Sequence, residues 1–200
     1  MPNPIDFYFD YSSPYGYFGA MKIEELAARH GRVVNWKPIL LGAVFKVTGA
    51  QPLPSTPLKG DYAKRDIERS ARFHDIAIRH PSKFPIASQA PARAFYWLSD
   101  SDPAQGKKLA QALYRAYFID DRDISSPEVT ADVAATLGLE RSEVLAAINA
   151  PAVKERLRSE TEAAIKRGVF GSPFIVIDGE PFWGVDRFDQ IERWLERGPF

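Results

Sequence analysis

Two serines, a proline and a glycine crowd the stretch FDYSSPYGY, residues 9–17, with tyrosines on either side. β-Formers precede it and a helical spacing of apolar residues follows, so it is a strand-to-helix joint. Such joints carry chemistry in α/β proteins because the amides of a helix N-terminus converge there on whatever occupies the site. Ser13 before Pro14 has the pattern of an N-cap with proline at the first helical position, worth about 1 kcal/mol. Either serine is therefore a helix cap or a ligand-holding hydroxyl. Ser12 reads as structural, with little expected from its removal.

Other chemistries are closed off by composition. The 200 residues contain no cysteine, which excludes disulfides, a cysteine nucleophile and a thiolate metal site. Any sulfur chemistry has to be borrowed from a ligand. The three histidines, His30, His74 and His80, show no metal-ligand spacing. A formal net charge of +0 and a pI near 6.8 argue against a nucleic-acid partner. The start MPNPIDFYFDY lacks a basic and an apolar region, and the longest apolar run, ILLGAVF, is too short to span a bilayer. The expectation is a cytoplasmic protein with no membrane partner.

The elements that must position the joint follow in order. IDFYFDY (5–11) reads as a strand, and a helix starts at Pro14 and stops at His30–Gly31. RVVNWKPIL (32–40) reads as a second strand, completing β-α-β. A proline-rich loop at 49–60 opens a helical stretch of about a hundred residues. In it Ile67, Ala71, His74 and Ile78 share a face, which makes His74 a hydrogen-bonded core histidine. PARAFYWL (91–98) reads as a short helix, and Asp102–Pro103 and Ser126–Pro127 as capped helix starts. Two more helices run to Gly168. SPFIVIDG and EPFWG then flank an Asp-Gly hairpin turn, and DRFDQIERWLERG closes the chain as an amphipathic helix. Asp186, just before that helix, has the position of its cap, with Asp189 adding favourable charge in the first turn.

That order resembles an α/β thioredoxin-like fold with a large all-helical insertion, as in the DsbA-like superfamily. It implies a thioredoxin-like domain from residues 1–41 and 169–200 and a helical insertion from 42–168. SSPYG stands where a redox member would carry its Cys-x-x-Cys, and Ser172–Pro173 resembles the cis-proline loop. Together FDYSSPYGY and GVFGSPF…FWGVDRF are similar to the 2-hydroxychromene-2-carboxylate isomerases and the related kappa-class glutathione transferases. The resemblance spans the whole chain.

It implies glutathione as cofactor and a catalytic Ser13 beside the glutathione sulfur. A hydroxyl donor and a helix N-terminus together stabilise a thiolate relative to a thiol. It further implies that Ser172, Pro173, Trp183, Gly184, Val185 and Asp186 hold the cofactor, with Asp186 on the γ-glutamyl ammonium. Lys46 and Arg93 are the candidate cations for an aromatic carboxylate substrate. Ala50 stands where kappa-class members carry an asparagine, and Val185 replaces a polar residue, so both positions lose side-chain hydrogen bonds to the cofactor. The resemblance implies a homodimer and cis-trans isomerisation of 2-hydroxychromene-2-carboxylate. A transferase that consumes glutathione and a non-catalytic thioredoxin-like peptide binder are the rivals. A dithiol oxidoreductase is excluded by the absence of cysteine.

Overall fold

The computed structural model describes residues 3–200; the first two residues of the expected 1–41 segment lie outside the described residues. Its β-α-β start is β1 (Ile5–Phe9), α1 (Pro14–Arg29) and β2 (Val34–Pro38). Seven helices follow before the chain returns to the sheet: α2 (Leu41–Thr48), α3 (Lys59–Phe73), α4 (Gln89–Ser99), α5 (Pro103–Phe118), α6 (Pro127–Ala135), α7 (Arg141–Asn149) and α8 (Pro151–Lys166). The hairpin β3 (Phe174–Ile177) and β4 (Glu180–Trp183) and the last helix α9 (Phe188–Arg197) close the fold. This is a thioredoxin-like fold with helices inserted between β2 and β3.

The sheet order is β2-β1-β3-β4. β1 pairs parallel with β2, Phe7 opposite Trp36, and antiparallel with β3, Phe7 opposite Ile175. As an interior strand it is buried on both faces, which explains why Ile5, Phe7, Tyr8 and Phe9 are all apolar or aromatic, with half-buried Asp6 paired to Arg167 and Asn35. Phe7 and Phe9 face one core, where Phe9 meets Trp36, Phe95 of α4 and Tyr114 of α5 at ring separations of 5.4, 6.0 and 5.8 Å. Tyr8 faces a second, smaller core with Val44 of α2 and Ala164 of α8. The sheet and the helical insertion thus share their apolar interior. The hairpin turn is Asp178–Gly179, both at positive φ (52° and 97°), as a two-residue Asp-Gly turn requires.

Several expectations need correcting. β1 ends at Phe9 and not at residue 11, because Asp10 and Tyr11 leave the sheet in a turn closed by Ser13 N–H to the Asp10 carbonyl at 2.9 Å. β2 is confined to Val34–Pro38. α3 starts at Lys59 inside the expected proline-rich loop and ends at Phe73, so Ile78 lies beyond the helix. His74 is not a core residue but the half-buried C-terminal cap of α3, against Phe73 and Phe18. Burial, and then the charge of Lys22, push its imidazole below the ordinary histidine value.

Candidate functional site

Ser13 is the N-cap of α1. Its backbone is extended (φ −90°, ψ 117°), and its Oγ accepts the Gly16 N–H at 3.0 Å. The same hydroxyl donates its one proton to the Ser172 carbonyl at 3.0 Å. Ser13 and Ser172 are each only 8% exposed, so this bond is a buried bridge between the helix start and the loop before β3. The Ser172–Pro173 peptide bond is cis. A second bridge runs beside it, the Asp10 N–H donating to Ser172 Oγ at 2.9 Å.

Two glycines make the approach of α1 to that loop possible. A Cβ on Gly16 would sit 2.5 Å from Ser172 Oγ, and one on Gly19 would sit 3.1 Å from Pro173. The loop is tied onward to β4 by Gly184 N–H to the Pro173 carbonyl at 3.0 Å. Gly184 has φ +105°, and the Asp186 carboxylate lies where its side chain would be, so glycine is required there. Asp186 does not cap α9. Arg187 holds the cap position without any side-chain bond, because a short 3-10 turn over Val185–Arg187 intervenes. The Asp186 carboxylate is instead 69% exposed, with the Arg187 guanidinium 3.5 Å away. Val185 is turned into the core, so its side chain serves packing.

Trp183 is 56% exposed and lies over Gly171, edge-on to the half-exposed Phe170 at 4.9 Å. Bonds thus link Ser13 through Ser172 and Pro173 to Gly184, with Trp183 preceding Gly184 in the chain and the Asp186 carboxylate against it. Lys46 lies exposed near the end of α2, and no contact joins it to that group. Arg93, on the second turn of α4, is half buried, and its Nε is fully buried without a hydrogen-bond partner. Burial alone pushes its guanidinium below the ordinary arginine value, with no carboxylate opposing it.

Nothing in its spacing marks Asp10, yet it organises the joint. Its carboxylate is buried and accepts three hydrogen bonds, from Ser12 N–H at 2.7 Å, Leu41 N–H at 2.8 Å and the Ser88 hydroxyl at 2.9 Å. The Leu41 bond caps α2, whose own Leu40 provides no side-chain cap. The Ser88 bond anchors the residue that precedes α4. Ser12 holds the same region, its Oγ accepting the Ile86 N–H at 3.0 Å. Among the described residues there is no cluster of potential metal ligands.

The sequence profile of the DSBA-like thioredoxin domain matches residues 4–196, and the chain belongs to that family. A 2-hydroxychromene-2-carboxylate isomerase of Sphingobium xenophagum is 29% identical to it, covering 98% of this chain and 99% of the relative. The human glutathione S-transferase kappa 1 is 26% identical, covering 98% and 94%. The solved structure of a 2-hydroxychromene-2-carboxylate isomerase superposes with a TM-score of 0.88 at 28% identity, covering 98% of this chain and 95% of that one.

Proposed function

We propose that the protein is a glutathione-dependent isomerase interconverting 2-hydroxychromene-2-carboxylate and trans-o-hydroxybenzylidenepyruvate in aromatic-compound degradation. The observation that carries this reading is the Ser13 hydroxyl, set at a helix N-terminus and bonded to Ser172, in a chain with no thiol of its own. The donor set fits glutathione: a hydroxyl for sulfur, a loop backbone at Ser172 for the peptide, and an exposed carboxylate at Asp186 for the ammonium. When bound, glutathione would supply a thiolate able to add reversibly to an electrophilic carbon, so that a double bond becomes free to rotate.

The chain's own residues do the rest. Ser13 and the positive end of the α1 dipole stabilise negative charge at sulfur, although Pro14 has no N–H and the Gly16 N–H is taken by Ser13 Oγ. Asp186 fixes one end of the cofactor and so its orientation. The unpaired Arg93 supports a carboxylate-bearing substrate, because a buried N–H without a partner regains a hydrogen bond when an anion arrives. Arg93→Gln is expected to raise KM for the carboxylate substrate about 10-fold or more, consistent with losing a charge-assisted bond. Equilibrium binding of glutathione, measured beside it, should be unchanged.

Asp186→Asn is expected to weaken glutathione by about 1.5–3 kcal/mol. Since Asp186 caps nothing, the melting temperature of the unliganded variant should stay at the wild-type value. Calorimetric titration with glutathione checks both halves, and unchanged affinity would remove Asp186 from the site.

The deciding experiment follows isomerisation with glutathione far below the substrate concentration. Many turnovers per glutathione support the isomerase. Consumption of one glutathione per electrophile supports the transferase reading, which the kappa-class relatives favour. The same reading makes the protein a cytoplasmic homodimer, and sedimentation tests the dimer. It also takes residues 1–41 and 169–200 as a thioredoxin-like domain and 42–168 as its insertion. Among the described residues no helix is long and apolar enough to cross a membrane.

A further inference from the structure

Asp10 is an ionisable group buried where no cation meets it. Both carboxylate oxygens accept backbone N–H groups, from Ser12 and from Leu41, and an N–H cannot turn round to accept a proton. Only the Ser88 hydroxyl is able to take either role. That donor set fits the ionised carboxylate. Burial pushes the carboxyl above its ordinary value, while the bonds from Leu41, Ser12 and Ser88 pull it back.

The groups packed around it leave its charge uncompensated. Tyr114 and Tyr117 approach from α5 and Tyr11 lies beside it in the chain, and all three phenols are pushed up by burial, hence neutral. Ser13 and Ser172 face it from α1 and from the loop before β3, α2 presents Leu41, and Ser88 approaches from the residue before α4. Of these only Asp10 carries charge.

Its carboxylate binds the amide of Ser12, the residue next to Ser13, which places its charge close to the hydroxyl that would meet a sulfur. At a separation on the order of 10 Å a buried charge still moves a neighbour's pKa by about one pH unit. The direction opposes the site. Helix amides and the Ser13 hydroxyl lower a bound thiol's pKa, and a thiolate of very low pKa is a weak nucleophile.

We propose that Asp10 is a positioning and tuning residue, whose buried negative charge holds the pKa of a thiol bound at Ser13 up, near working pH. It acts through its field and through the turn that it closes, and touches neither cofactor nor substrate. This rests on the reading that a thiol occupies the Ser13 site.

Asp10→Asn separates field from scaffold by the direction in which one pKa moves. Loss of the charge lowers the pKa of bound glutathione by about one pH unit, read from the thiolate absorbance of the complex. A site merely loosened by the substitution would stabilise the thiolate less and raise that pKa. A second neutral variant, Asp10→Ser, covers failure of the first to fold and is expected to lower the same pKa, while Asp10→Glu, which keeps the charge, should leave it near the wild-type value. A raised or unchanged thiol pKa in a folded neutral variant, or a pKa lowered equally in Asp10→Glu, would overturn the proposal. If glutathione does not shift the melting temperature, the glutathione reading itself falls and takes this proposal with it.

Discussion

Ser13→Ala is expected to lower stability by about 2 kcal/mol and, separately, to raise the pKa of a bound glutathione thiol by about one pH unit. The stability loss has two sources. The Gly16 N–H loses its cap, worth about 1 kcal/mol, and the buried Ser172 carbonyl loses its donor, worth about the same. For a chain of this length each kcal/mol corresponds to roughly 2–4 °C in melting temperature. The change in thiol pKa arises differently. Ser13 has one proton, given to the Ser172 carbonyl in the unliganded structure. A thiolate at the site draws that proton to itself, and the substitution leaves it only the helix amides. A thiol pKa higher by one corresponds to about 1.4 kcal/mol of lost thiolate stabilisation. Melting curves and the thiolate absorbance of the complex read the two effects independently. A destabilised variant with wild-type thiol pKa and turnover would reduce Ser13 to a helix cap.

The companion variant is less inert than its sequence suggests. Ser12 accepts the Ile86 N–H, so Ser12→Ala should cost about 1 kcal/mol by orphaning that amide. The thiol pKa should not move, because Ser12 Oγ accepts the Ile86 amide, lies against the Tyr117 hydroxyl, and has no bond to the Ser172 loop. Comparing the two alanine variants therefore isolates the contribution of a hydroxyl aimed at the site.

What is legible in the chain, and what is not, divides by the range of the interactions. Ser13–Pro14, Asp102–Pro103 and Ser126–Pro127 are local caps, and all three start helices with the cap bond in place. The Asp178–Gly179 turn is equally local. α2 escapes a reading of the sequence because its N-terminal cap is the Asp10 carboxylate, 31 residues away, and its own residues form an apolar run without helical alternation. Asp10 stands in the joint without a visible role, since Leu41 and Ser88 come to it only through the fold. Asp186 has a cap's position in the sequence, and the 3-10 turn that displaces it depends on Gly184 at positive φ. Asp75, at φ 56°, ends α3 before Ile78, although the apolar spacing runs on. The unpaired state of Arg93 is a statement about what does not surround it, which no spacing encodes.

Gly16→Ala should damage both the fold and the site, although alanine favours helix over glycine by about 1 kcal/mol. A Cβ there would lie 2.5 Å from Ser172 Oγ, 2.9 Å from the Tyr114 hydroxyl and 3.2 Å from Ser13 Cβ. None of these neighbours yields freely. Ser172 Oγ accepts the Asp10 N–H at 2.9 Å, and Tyr114 donates to the Asp10 carbonyl at 3.0 Å from a fully buried ring. Relief requires α1 to back away from the loop by roughly 1 Å, the deficit against ordinary van der Waals contact. That movement stretches the Ser13–Ser172 and Asp10–Ser172 bonds together. Overpacking of this kind costs about 1–3 kcal/mol and outweighs the gain in helix propensity. Gly42, in the first turn of α2, supplies the contrast, because a Cβ there meets nothing within 4 Å. Gly42→Ala should therefore raise stability by about 0.4–1 kcal/mol. The two variants should move the urea midpoint in opposite directions, and only Gly16→Ala should weaken glutathione. If Gly16→Ala matches Gly42→Ala in both measurements, the contact between helix and loop is looser than the structure has it, and Ser13 is not held where a buried thiolate would need it.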